Sequence, residues 1–403
     1  MSSPRLQLAY EEHPWEVSAE VAQRLGSLET HRIERPYRAA VPVHVAELDL
    51  VPLLSLKARQ LAAEVTAKIV EFDSQMSRLS TPMPAILLRT ESASSSQIEH
   101  LTAGARRIAA ATLSVDDHKN ALLISANVAA MRTALAHPNL NAFEDILRLH
   151  RALLEHSEPE IAGKFRDQQV WIGGSSLSPH GSEFTPPHHT RVPDLIHDLL
   201  AFIGRRDIPP LIHSGLAHAQ FETIHPFEDG NGRVGRALIH SMLSRGIPLE
   251  SSTIPVSAGL LTDTQSYFNA LTTYREGDPS AIVSIVSKGA LQAIENGRIL
   301  AQELNTTREQ WVTSVNARSD SIAWPLIDLL FTQPVVNAEF VSTNLSVSDR
   351  GARNAIDLLE DAGVLRRTQT RQDRRRNVVW QSDQILDALD SFAARAGRRT
   401  PGL

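Results

Sequence analysis

Apolar residues recur three and four positions apart over most of this chain, a period that predicts a mainly α-helical protein. The pattern begins near Leu53, where Leu54, Ala58, Leu61, Ala62, Val65 and Ile69 would share one buried helix face. Serines 94–96 precede another apolar-periodic run and supply N-cap candidates, so a second helix is expected to start there. More helices are expected over 120–136, 142–155, 193–203 and 209–223, with helical patterning continuing to about Ile294.

Two stretches break this period. Residues 1–50 are dotted with prolines and rich in β-branched residues near 40–46, which predicts an extended arm or a small hairpin. Within 163–187, Gln169-Val170-Trp171-Ile172 has strand character, and the glycines, serines and prolines after it suggest a hairpin and a long loop.

The C-terminal portion has a different order. Residues 324–332 and 337–345 read as helices, Ser346-Val347 as a turn, and Ser348 as the N-cap of a third helix ending at Gly363. Val364-Leu365 and Val378-Val379-Trp380 then read as two short strands. Helix, helix, turn, helix and hairpin is the order of a winged helix. The hairpin loop sets Arg366, Arg367, Arg371, Arg374, Arg375 and Arg376 against Asp373 alone, a cluster that suits duplex phosphates or a protein-docking surface. The expected organisation is an N-terminal arm over 1–52, a helical region over 53–130, a core over 131–300 and a winged helix over 320–385.

Composition narrows the classes. A chain of 403 residues exceeds one average core, and 42% hydrophobic with 21% charged residues is ordinary for a globular protein. A net charge of −6 argues against a surface that binds nucleic acid throughout, but allows a local basic patch. The absence of cysteine excludes a disulfide framework and a thiolate zinc site. The first residues lack the pattern of a signal peptide and no apolar run could span a bilayer, so a cytoplasmic protein with no membrane partner is expected. Sixteen histidines invite a search for metal sites, yet no His-Glu-x-x-His occurs, and His188-His189 after Pro186-Pro187 reads as surface loop. The long apolar helices permit a homodimer.

The chemistry is concentrated in Ile224-His225-Pro226-Phe227-Glu228-Asp229-Gly230-Asn231-Gly232-Arg233-Val234-Gly235-Arg236. Asp229 is a hard oxygen ligand of the kind Mg²⁺ takes. Gly230-Asn231-Gly232 allows a tight turn in which successive N–H groups face an anion. A helix starting near Asn231 would offer its free N–H groups and positive dipole end to a phosphate. Arg233 and Arg236, three apart, would share a face and fork onto phosphate oxygens. His225 is the side chain best tuned to accept a proton near neutral pH. Together they read as phosphate chemistry beside a base.

This segment resembles the signature of the Fic (filamentation induced by cAMP) family, His-Pro-Phe-x-Asp/Glu-Gly-Asn-Gly-Arg-x-x-Arg, at every specified position. The resemblance extends over about residues 53–294. His218 to His225 looks like the helix leading into the active loop, and Gly163-Lys-Phe-Arg166 with Val170-Trp171-Ile172-Gly173 resembles the flap that docks a target by main-chain pairing. Tyr267-Phe268 resembles the aromatic pair near the adenine.

The resemblance implies a mainly α, Fic-type helical bundle with a small β-hairpin flap, and a protein adenylyltransferase. Such an enzyme moves AMP from ATP to a Tyr, Ser or Thr hydroxyl of a protein, itself included, and releases pyrophosphate. His225 would be the general base, and Asp229 would hold Mg²⁺. Gly230, Asn231 and Gly232 would bind α- and β-phosphate oxygens, Arg233 the β-phosphate and Arg236 the γ-phosphate, with Val234 and Gly235 on the same nucleotide-binding turn. Ser95-Ser96-Gln97-Ile98-Glu99-His100 resembles the family's inhibitory helix, Ser/Thr-x-x-x-Glu-Gly/Asn, and departs from it at His100. The resemblance implies that Glu99 pairs with Arg236 and occupies the place of the γ-phosphate. Three alternatives stand beside this reading: removal of AMP from a modified protein, a DNA-binding regulator whose Fic domain senses nucleotide, and a donor such as UTP or GTP.

Overall fold

The computed structural model describes residues 6–17, 23, 33–113, 118–136, 139–368 and 378–397. Arg371, Asp373, Arg374, Arg375 and Arg376 of the arginine-rich loop lie outside the described residues, as do parts of the N-terminal arm. The fold is mainly helical. It divides into two compact units, one comprising Met1–Ala63, Ala136–Gly246 and Gln265–Ile285, the other Glu64–Leu135, Ile247–Thr264 and Val286–Leu403.

In the first unit, β1 (Ala9–His13) and β2 (Tyr37–Val41) pair antiparallel, with Glu11 opposite Ala39. The second unit holds most of α1 (Leu56–Met76), where Ala58, Ala62, Val65 and Ile69 are buried as their spacing requires. It also contains α2 (Met83–Ile98), α3 (Ala105–Thr112) and α4 (Lys119–Ala136). Helix α5 (Phe143–Leu154) belongs to the first unit and buries Ile146, Leu149, His150, Leu153 and Leu154, a stripe at helical spacing. The Asp145 carboxylate accepts from the Asn141 and Ala142 N–H groups and fixes its start.

Helices α6 (Val192–Gly204), α7 (Pro210–Ile224) and α8 (Asn231–Gly246) form the centre of this unit. Every residue of α7 from Leu211 to Ile224 is buried, as expected of a helix covered on all sides. A Cβ on Gly235 would stand 2.6 Å from Glu222 Oε1, and one on Gly246 would stand 2.7 Å from Pro210 Cβ. The start of α8 therefore meets the end of α7 and its end meets the start of α7, so the two run antiparallel in close contact. Loop 225–230 is the turn of this hairpin.

Several sequence expectations require correction. The second helix starts at Met83, with Pro82 at its cap, and the serines at 94–96 lie buried inside it. There Ser92 Oγ donates to the Leu88 carbonyl and Ser96 Oγ accepts from Asn127 Nδ2, so buried hydroxyls are satisfied without capping anything. The strand expected at 169–172 reduces to one antiparallel bridge, Ile172 to Phe184. Gln169 Nε2 takes the carbonyls of Val170 and Pro186, and Gly173 and Gly174 turn the chain at φ 73° and 76°. Helical structure also runs past Ile294. After α9 (Val256–Leu261) and α10 (Thr264–Arg275), α11 spans Ser280–Ser314 and keeps Leu300, Leu304 and Trp311 buried.

The second unit ends with α12 (Ala323–Thr332), β3 (Val335–Val336), α13 (Ala338–Leu345), α14 (Asp349–Asp361), β4 (Arg366–Thr368), β5 (Val379–Gln381) and α15 (Asp383–Arg395). Asn337 and Ser348 cap α13 and α14, accepting from Phe340 N–H at 2.7 Å and Gly351 N–H at 3.1 Å. The strand order is β3-β5-β4, antiparallel throughout. The first hairpin strand begins at Arg366 rather than Val364, because the Val364 and Leu365 N–H groups both donate to the Leu359 carbonyl and close the end of α14.

Candidate active site

Loop 225–230 has its carbonyls drawn into the protein. His225 caps α7 in the left-handed conformation at φ 51°, an uncommon state for a residue with a Cβ, so other contacts must hold it. Arg166 supplies them. Its Nε donates to the His225 carbonyl at 2.8 Å and its backbone N–H to the Pro226 carbonyl at 3.0 Å. Nη1 and Nη2 of the same guanidinium reach the carbonyls of Gln168 and Pro187. One buried cation thus ties loop 225–230 to both ends of segment 168–187.

Asn231 fixes the next residue. Its Oδ1 accepts from Phe227 N–H and its Nδ2 donates to the Phe227 carbonyl, both at 2.9 Å. His150 fixes Asp229: its Nδ1 accepts from Gly163 N–H at 2.9 Å, which leaves Nε2 to carry the proton and donate to the Asp229 carbonyl at 3.1 Å. Burial pushes the His150 pKa down to about 4, so the ring stays neutral and keeps both roles near pH 7. Gly230, at φ 79°, then turns the chain into α8. The Asn231, Gly232 and Arg233 N–H groups belong to the first turn of that helix, where no carbonyl of the helix itself can answer them.

The side chains add to a candidate anion site. Arg233 is 5% exposed, and its Nη2 donates to Asp229 Oδ2 at 2.8 Å. Its Nε and Nη1 are buried without a hydrogen-bond partner among the described residues. Buried charged donors left unanswered are costly, which marks a place where an anion belongs. Arg236 is also buried, one turn along the same helix. Asp229 is 53% exposed, so its carboxylate remains open to solvent and to a hard cation. His225 Nδ1 stands 3.9 Å from Glu222 Oε2. Burial first, then the Arg275 and Arg166 guanidiniums, hold the His225 pKa down at about 3, so its imidazole is neutral near pH 7.

The remaining expected residues are distributed around this loop. Val234 is buried, and Gly235 faces Glu222 and His218 of α7. Tyr267 is buried with its hydroxyl 2.8 Å from His218 Nε2, whereas its neighbour Phe268 is 46% exposed. Val170 and Trp171 lead into Ile172, which makes the bridge to Phe184, and Gly173 follows it. Trp171 Nε1 donates to the Ser175 carbonyl, and its ring meets Trp15 edge-on at 5.3 Å. His188 lies flat against His13 at 4.0 Å.

Ser95 and Glu99 belong to the second unit. Ser95 is buried and Glu99 is exposed at the C-cap of α2. His100 adopts φ 62°, so the position where the resembled motif carries Gly or Asn is a left-handed one, which those residues occupy at least cost and histidine also tolerates. Sequence reasoning did not identify the clamps made by His150, Arg166 and the Asn231 side chain. For His150 the only signal was a polar residue on the apolar stripe of α5.

Residues 139–243 match the Fic/DOC family. The chain is 30% identical over 143 residues to a protein adenylyltransferase Fic of Aedes aegypti, covering 34% of this chain and 27% of that one. With the protein of the same name from Drosophila mojavensis it shares 29% identity over 185 residues, covering 45% and 34%. The matched segments span only about a quarter to a third of these curated relatives. A solved Fic family protein from Desulfovibrio desulfuricans G20 superposes with a TM-score of 0.49 at 22% identity, over 80% of this chain and 95% of that one.

Proposed function

We propose that this chain, which carries a Fic/DOC domain over residues 139–243, is a protein adenylyltransferase that moves AMP from ATP to a Tyr, Ser or Thr hydroxyl of a protein. The observation that carries this reading is Arg233, whose two unanswered buried donors lie on the first helix turn after a loop that carries His225 and has its carbonyls turned away. The names of the relatives at about 30% identity support the same reaction.

The acceptor oxygen attacks the α-phosphorus, the bond from that phosphorus to the bridging oxygen breaks, and pyrophosphate leaves. The hydroxyl proton passes to the His225 imidazole. A nucleotide polyanion beside this ring favours the imidazolium, so the base strengthens when ATP is bound. First-turn N–H groups of α8 receive α- and β-phosphate oxygens and steady the charge of the pentacoordinate phosphorus. Arg233 answers the β-phosphate and Arg236 the γ-phosphate. Asp229, half exposed, would hold Mg²⁺, which when bound neutralises phosphate charge. Tyr267 and Phe268 border the adenine side. The flap, 170–173, receives an extended target segment by main-chain pairing, which tolerates varied sequences.

We assign Glu99, with Ser95 on the same helix, the role of a restraint in cis. The left-handed turn at His100 supports it, because that is the conformation the motif's Gly or Asn would favour. Residues 320–385 we read as a winged helix, from the helix–strand–helix–helix–strand–strand order and the arginines at 366 and 367. Incubation with ATP labelled at the α-phosphate tests the central reading through appearance of label on protein.

A further inference from the structure

Arg275, the last residue of α10, lies outside the signature, yet its contacts join the two halves of the site. Its guanidinium carbon lies 3.8 Å from the centroid of the Phe184 ring. Phe184 is the residue whose main chain bridges Ile172: Ile172 N–H donates to the Phe184 carbonyl at 2.8 Å, and Phe184 N–H returns a bond at 3.2 Å. On its other side, Arg275 Nη2 donates to the Glu222 carbonyl at 3.2 Å, in the turn of α7 that ends at His225. The Arg275 carbonyl accepts from Leu8 N–H at 3.4 Å, which anchors the end of α10 to the N-terminal segment. Its Nε is buried without a hydrogen-bond partner among the described residues, and the Glu222 carboxylate favours its charged form. A cation placed over an aromatic face in a water-poor setting gains more than at an exposed site.

We propose that Arg275 is a positioning residue that couples the flap to the catalytic base. It holds Phe184, and through the bridge Ile172, against the end of α7, so that a segment paired on the flap presents its hydroxyl to His225. The inference rests on the reading of 170–173 as a docking flap. The guanidinium suits this role because a planar fork can stack on Phe184 while donating to a carbonyl, which the point charge of lysine cannot do in one pose. The charged groups facing His225 are Arg275 from α10, Arg166 from the segment before the flap and Glu222 from α7. Burial pulls the Arg275 pKa down to about 10, which leaves it charged near neutrality.

Hydrogen exchange on the 403-residue chain without nucleotide tests the coupling independently of any transfer activity. Arg275→Gln is expected to raise exchange at Ile172, Glu183 and Phe184 by about tenfold, with α7 and α8 unchanged. Phe184→Leu should give the same increase, and the double variant no further one. If Arg275→Gln also loosens α7 and α8, the Phe184→Leu variant decides. Unchanged exchange at the bridge in that variant overturns the coupling. In AMP transfer, Arg275→Gln should raise KM for the protein acceptor several-fold and leave KM for ATP unchanged; the reverse pattern contradicts the proposal. A chain that transfers no AMP defeats the proposed function, while the exchange result still decides the coupling.

Discussion

The imidazole of His150 lies flat on the ring of Phe227, with centroids 3.7 Å apart and planes 1° from parallel. The same imidazole bonds the Asp229 carbonyl, two residues further along loop 225–230. One neutral ring from α5 therefore fixes both the height of the loop and the orientation of its acidic residue.

His150→Ala removes the stacking surface and leaves Gly163 N–H and the Asp229 carbonyl without their partner. Hypothesis: the variant loses about 2–4 kcal/mol of unfolding free energy, from cavity and unpaired polar groups together. Denaturant unfolding checks this, and a loss below about 0.5 kcal/mol would show that the clamp is not structural.

Asn231 gives a sharper separation of folding from chemistry. Asn231→Asp keeps the acceptor for Phe227 N–H, loses the donor to the Phe227 carbonyl and adds negative charge where phosphate should sit. The expected outcome is a folded protein, weakened by about 1–3 kcal/mol, with ATP binding largely lost. Calorimetric titration with ATP reads the second effect. Binding equal to that of the unaltered chain would remove phosphate from this loop.

Acid should destabilise the first unit before its carboxylates titrate. Burial holds the pKa of His150 and His213 near 4 and of His218 and His225 near 3, all below the ordinary 6.5. In the unfolded chain these rings take up protons as pH falls through about 6.5, whereas in the folded chain they resist until about 3–4. The unfolded state then binds more protons, so this stability is whole above about pH 7 and declines below it, by several kcal/mol in total. Urea midpoints at pH 7, 6 and 5 measure the slope. A flat profile over that range would contradict the assigned burial of these histidines.

The residues proposed for the chemistry could be picked out because they are local in sequence: the proposed base, acid, turn and both arginines lie within 225–236, on one loop and one helix turn. Its supports were not. Arg166 and His150 stand 59 and 79 residues from the carbonyls they hold, and nothing in periodicity relates them. Helix periods were read well where one face is buried, as in α5. They failed at α2, where Ser92, Ser94, Ser95 and Ser96 are buried polar residues that resemble a cap by composition alone. The strand at 169–172 failed because side chains of Gln169 and Arg166 take the carbonyls of 168, 170 and 186.

The most direct test is transfer by the Glu99→Gly chain, with ATP labelled at either the α- or the γ-phosphate, added to cell lysate with Mg²⁺. The expected result is label on protein from the α-phosphate and none from the γ-phosphate, at a higher level than with the unaltered chain. His225→Ala in the same background should reduce that label by about a hundredfold or more. Transfer undiminished by His225→Ala, or label arriving from the γ-phosphate, would contradict AMP transfer by this base.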